Sequence, residues 1–129
     1  MKVKMSSQEN VTVVELSGYL DFGSARPIAD HLESIYRDNE TAKVVIDMSE
    51  LEFVGSSGIS NFVKGLRAFN KLHMRPSYCG VKTEFKKLFK IFEDKNNFEV
   101  FDNRNNAFTG AKERYQLWEM RTLRSKETH

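Results

Sequence analysis

Hydrophobic positions along this chain switch repeatedly between a period of two and a period near 3.6. Residues 2–6 and 11–17 (VTVVELS) alternate loosely and are separated by the polar stretch SQEN, a pattern that predicts two strands joined by a turn. In the second strand Val11, Val13 and Glu15 fall on one face and Thr12, Val14 and Leu16 on the other. GYLDFGSARP then interrupts the alternation. Ser24 is suited to cap a helix in which Ile28, Leu32, Ile35 and Tyr36 recur at helical spacing to about Arg37. AKVVIDM follows as a short continuous apolar run. Val44, Val45 and Ile46 in succession suit a strand buried on both faces, within a sheet covered by helices.

Beyond the stretch GSSG, Ile59, Phe62, Val63, Leu66 and Phe69 mark one face of a second helix. RPSYCGV reads as a strand with Pro76 tolerated at its start. Phe85, Leu88, Phe89 and Phe92 outline a third helix, and FEVF a last short strand. Strands and helices in alternation predict an α/β layered fold. The tail carries Phe108, Ala111, Tyr115 and Trp118 at spacings of three and four, which predicts a helix of about four turns. Arg114, Arg121, Arg124 and Lys126 on it outnumber Glu113, Glu119 and Glu127. The expected role of that helix is to dock its aromatic face on the domain. The competing role is a protein contact, including a homodimer, because Tyr, Trp and Arg suit interface anchors. Membrane-surface attachment is disfavoured, since acidic residues dilute the basic face.

Composition narrows the picture little further. A chain of 129 residues supports one domain with a real core. A net charge of +2 makes no case for nucleic acid as a partner. The single cysteine, Cys79, cannot form an internal disulfide, and no Cys/His set has metal-ligand spacing, so no metal is expected. His31 and His73 fall on expected helices and His129 is the last residue; surface or core-edge positions suit all three. MKVKMSSQENVTVVEL lacks an apolar signal core, and no apolar run approaches membrane-spanning length. The expectation is a reduced, cytoplasmic compartment without membrane attachment.

The serine pair of Gly55-Ser56-Ser57-Gly58 is the candidate site. As a nucleophile elbow it fails, because Ile59 stands where G-x-S-x-G needs glycine, and no base is evident for a hydroxyl; no catalytic residue is expected. As a phosphate cradle it lacks both the Gly-Lys-Ser/Thr of a P-loop and three spaced glycines, so no cofactor is expected. As a helix cap, either serine would accept a bond from an unpaired N–H and contribute about 1 kcal/mol. As a phosphorylation target, the pair would gain roughly −1.5 to −2 charges at a helix N-terminus that tolerates them.

DMSELEFVGSSGI (47–59) resembles the signature of the STAS domain family, the bacterial anti-sigma factor antagonists. LSGYLDFGSA (16–25) is similar to a second segment of that family, which closes the second strand and opens the first helix. The likeness covers about residues 1–108, leaving 109–129 as a helical extension. It implies a mixed four- to five-stranded sheet with amphipathic helices. It also implies a non-enzymatic protein that binds an anti-sigma factor acting as a serine kinase. Phosphorylation before the second helix would release that partner, and a metal-dependent serine phosphatase would restore binding. On this likeness the phosphoacceptor is Ser56, with Ser57 next in order. Asp21, Phe22, Gly23 and Ser24 line the same partner surface, with Gly55 and Gly58 flanking the serines. Gly55 departs from the family, which usually has Asp there; an acidic side chain is lost beside the phosphoacceptor, which bears on kinase recognition. The alternatives are a STAS module sensing a nucleotide or lipid near the same loop, and a scaffold assembling through the Phe108–Trp118 helix.

Overall fold

The structure is a computed structural model that describes residues 1–20, 23, 25–53, 56–93 and 97–127, with backbone alone at 25, 53, 56, 57 and 125–127. Strands β1 (Lys2–Gln8) and β2 (Val11–Leu20) form an antiparallel hairpin. Its two-residue connection, Glu9 and Asn10, has positive φ at both positions (53° and 66°), the backbone whose twist matches paired strands. Ser7 and Gln8, expected in the turn, are therefore paired residues of β1. There follow α1 (Ala25–Asp38), β3 (Lys43–Phe53), α2 (Ser56–Arg67), β4 (Ser77–Cys79), α3 (Thr83–Ile91), β5 (Glu99–Phe101) and α4 (Arg104–Glu127).

The sheet runs in the order β1-β2-β3-β4-β5, and every pair from β2 onward is parallel. Each parallel step needs a crossover, which α1, α2 and α3 supply; right-handed crossovers in sequential order place all three on one face. Ile28 and Leu32 of α1, Phe62, Val63 and Leu66 of α2, and Phe85 and Phe89 of α3 pack there on Val14, Leu16, Val44 and Ile46. Val11, Val13, Val45 and Cys79 face the other way, under Ala107, Phe108 and Ala111 of α4. The two faces expected of β2, and the doubly buried β3, are both present. The fold is α/β with a five-stranded mixed sheet and four helices.

Local pattern misplaced several residues. Phe69 lies past α2 in a 3-10 turn, Phe69–Lys71, where its ring stacks on Tyr36 at 6.1 Å. The Tyr36 hydroxyl donates to the Met74 carbonyl at 2.7 Å, so this exit from α2 is held by tertiary contacts. Phe92 follows α3 as its C-cap, and His73 sits in a turn rather than on a helix. β3 runs on past AKVVIDM to Phe53.

The tail helix is also longer than expected, with 24 residues spanning about 36 Å. It starts at Arg104 because Asn103 Oδ1 accepts the Asn106 N–H at 2.8 Å, an N-cap absent from the sequence reading. The Phe101 ring fills the space that a Cβ at Gly110 would need, which explains a glycine inside this helix. Lys43 lies over the Tyr115 ring at 4.4 Å. The first half of α4 docks as expected, whereas Leu117, Met120 and Leu123 are each more than half exposed.

Between β2 and β3 the register advances from Glu15↔Asp47 to Ser17↔Glu50, so β3 carries one extra residue. Gly80, just after β4, passes over this bulge with φ of +66°, and a Cβ on it would lie 2.6 Å from the Ser49 backbone nitrogen. Gly80→Ala is therefore expected to destabilise the fold by about 1–3 kcal/mol, measured by urea unfolding, because strained φ and backbone overlap act together.

Candidate functional site

The last paired residues of β2 and β3 are opposite each other, Leu20 against Phe53. The two strands thus end at the same level, although 33 positions separate Leu20 from Phe53 in the chain. α1 and α2, which follow these strands, pack against each other. This is the carboxyl end of the parallel strands, where open α/β sheets present their working loops.

Ser56 and Ser57 are the first two residues of α2. The first turn of that helix contains no acidic side chain, so nothing on it offsets the positive end of the helix dipole. Gly58 is buried, and Ile59, Phe62, Val63 and Leu66 anchor the helix to the sheet, with Phe62 edge-on to Phe85 at 6.2 Å. Gly23 is exposed in a turn. Asp21, Phe22, Ser24 and Gly55 lie outside the described residues, as do the side chains of Ser56 and Ser57 and the capping bonds expected of Ser24 and the serine pair. Two neighbours escaped the sequence reading. Tyr19, 63% exposed, pairs with the exposed Glu52 one step before the strands end. An exposed tyrosine beside a glycine-rich turn was the available signal.

Beneath this end, on the α4 face, lies a polar cluster built on Asp47. Its Oδ1 accepts the Ser49 N–H at 3.0 Å and the Ser49 hydroxyl at 2.7 Å, which closes the β3 bulge. Its Oδ2 accepts Arg104 Nε at 3.0 Å and Nη2 at 2.7 Å, and Nη2 also reaches Glu15 Oε1 at 3.0 Å. Burial pushes the Asp47 carboxyl up, but the Ser49 hydroxyl and amide together with Arg104 outweigh it and hold the pKa below the ordinary value. The hydrogen bond to Asp47 raises the Arg104 pKa against partial burial, with Glu15 adding to it. The Asp-Met-Ser part of the recognised segment is thus a structural latch, joining the central strand to the start of α4. Nearby, burial and then the Asp47 charge push the Cys79 thiol up to about 11, so it is an inert core group. Among the described residues no group of three or more His, Cys, Asp or Glu could hold a metal ion, and no helix is long and apolar enough to cross a membrane.

The STAS domain family model matches residues 2–107. The chain belongs to the STAS domain family. Its similarity to individual STAS proteins is low but nearly full-length. An anti-sigma F factor antagonist of Paenibacillus polymyxa is 21% identical over 109 residues, covering 84% of this chain and 93% of the relative. An anti-sigma factor antagonist from Mycobacterium paratuberculosis superposes with a TM-score of 0.64 at 19% identity, covering 86% of this chain and 93% of that one. The anti-sigma factor antagonist SpoIIAA in its unphosphorylated form gives 0.57 at 16% identity, covering 81% and 92%. These neighbours share the fold of this STAS domain.

Arg104→Ala would leave the carboxylates of Asp47 and Glu15 facing each other without their shared cation. Arg104 is about one-third exposed, so solvent moderates the loss; the expected cost at neutral pH is about 1–2 kcal/mol by chemical denaturation. Because the folded pKa of Asp47 is depressed, its stabilisation is complete above the unfolded aspartate value and is lost as pH falls through the lower folded one. The gap between wild type and Arg104→Ala is therefore expected to narrow below about pH 4.

Proposed function

We propose that this STAS protein is a non-enzymatic, cytoplasmic regulator of the anti-sigma factor antagonist type. In this reading residues 1–108 form the switching domain. It binds an anti-sigma factor that also acts as a serine kinase, through the surface made by residues 21–24 and the start of α2. Ser56 is the phosphoacceptor, phosphorylation releases the partner, and a serine phosphatase reverses the modification.

The observation that carries this reading is the level pairing of Leu20 with Phe53, three residues before α2 begins at Ser56. A phosphate there meets the positive end of the helix dipole in a first turn with no acidic side chain, while the apolar anchors of α2 lie further along the helix. Charge on the contact surface can therefore change without cost to the core, and that is what a binding switch requires. The Paenibacillus polymyxa relative is named an anti-sigma F factor antagonist, and a structural neighbour is described as an unphosphorylated form; both support the same reading. Gly55 leaves the phosphoacceptor without the acidic neighbour usual in the family, so the matching kinase must recognise the loop by its other contacts.

Ser56→Asp is expected to weaken binding to the cognate anti-sigma kinase by roughly 100-fold, about 3 kcal/mol, with thermal stability nearly unchanged. Full retained affinity in that variant would defeat the mechanism. Intact-mass and peptide analysis of protein from its native host is expected to map one phosphate to Ser56.

A further inference from the structure

At the other end of the sheet, α4 overhangs the chain that leads into β4. Arg75 lies two residues before Ser77, the amino end of β4, whereas Ser56 follows the carboxyl end of the parallel strand β3. The segment Lys71–Arg75 and the α4 face from Arg114 to Thr122 enclose a cavity of about 500 Å³. That volume lies in the range of small-ligand sites. Its walls bring together Lys71, His73, Arg75, Arg114, Arg121 and the half-buried indole of Trp118.

Among the described residues no carboxylate lines this cavity. Arg75 pairs with Glu99 at 2.9 Å, and Arg114 pairs with the same Glu99 oxygen, so two guanidinium groups share one carboxylate. The Nε atoms of Arg75 and Arg114 are buried with no hydrogen-bond partner among the described residues. Burial lowers the pKa of both guanidinium groups, and Arg75 and Arg121 lower that of Arg114 further. Crowding like charges around a half-closed cavity costs free energy that a bound anion would return. Arg114, Leu117, Trp118, Arg121 and Thr122 recur at spacings of three and four, so one helix face presents both the cations and the ring. That face lies beyond the residues matched by the family model, while Arg75 and Glu99 lie within them.

We propose that this cleft binds a small, multiply charged organic anion bearing a flat ring, the chemistry of a nucleoside polyphosphate, with Arg75, Arg114 and Arg121 on the phosphoryl oxygens and Trp118 against the ring. Guanidinium forks match phosphoryl oxygens, and indole faces stack on planar rings. The site is separate from the serine pair and does not depend on the switch.

Trp118 is the only tryptophan in the chain, so its emission reports on the cleft directly. Full-length protein is titrated with ATP, GTP, pyrophosphate and inorganic phosphate at physiological salt, followed by emission and by calorimetry. Saturable binding of ATP or GTP is expected, tighter than pyrophosphate, with inorganic phosphate weakest. Arg121→Gln, at an exposed position, is expected to weaken binding at least about 10-fold without changing thermal stability. Lys87→Gln, an equal charge change on α3, and Ser56→Asp are expected to leave binding unchanged. Absence of saturable binding to all four anions would overturn the proposal, as would equal loss in Lys87→Gln, equal affinity for pyrophosphate and ATP, or capture by RNA or acidic lipid vesicles alone.

Discussion

Both oxygens of the Asp47 carboxylate are occupied at once, one by Ser49 within its own strand and the other by Arg104 of α4. Much of the architecture depends on that division. The bond to Ser49 holds the bulge through which β2 and β3 change register and end level at Leu20 and Phe53. Level strand ends are what put the last residue of β2 beside the last residue of β3, three positions before α2 starts. The bond to Arg104 fixes where α4 begins, and so lays Ala107, Phe108 and Ala111 over Val11, Val13, Val45 and Cys79. A strand with apolar residues on both faces requires such a cover, because exposing the second face would return Val11, Val13 and Val45 to water.

The sheet separates two kinds of chemistry. At the carboxyl ends of the parallel strands α2 starts with no acidic side chain in its first turn, over an apolar base of Ile59, Phe62, Val63 and Leu66. At the amino ends α4 and the approach to β4 gather cations around a cavity that no carboxylate lines among the described residues. α4 touches both regions, through Arg104 at one end and Arg114 to Arg121 further along. The aromatic group Tyr78, Phe89 and Phe98, with Phe89 and Phe98 stacked at 4.6 Å, holds the approach to β5 and so places Glu99 between its two arginines.

What the sequence determined by itself was whatever depends on neighbours within about one helical turn or a few strand residues. The faces of Val13 and Val14, the double burial of Val44 to Ile46, the amphipathic stripes of α1 to α3 and the α/β alternation follow from local period, because backbone geometry fixes where each side chain points. The two spaced segments around Asp21 and Ser56 were enough to identify the family and its fold.

What only the tertiary structure decided concerns which distant segments meet. Nothing near Arg104 announces Asp47, 57 positions away, and nothing near Arg75 announces Glu99 or Arg114. Phe69 continues the helical period of α2 yet leaves the helix, because stacking on Tyr36 and the Tyr36 bond to Met74 outweigh one more turn. α4 outran the stripe that announced it, since its cap is Asn103 and its far half faces a cleft rather than the core. Periodicity records which side of an element is covered; the partner that covers it, and the charge left unpaired there, are set only when the chain closes on itself.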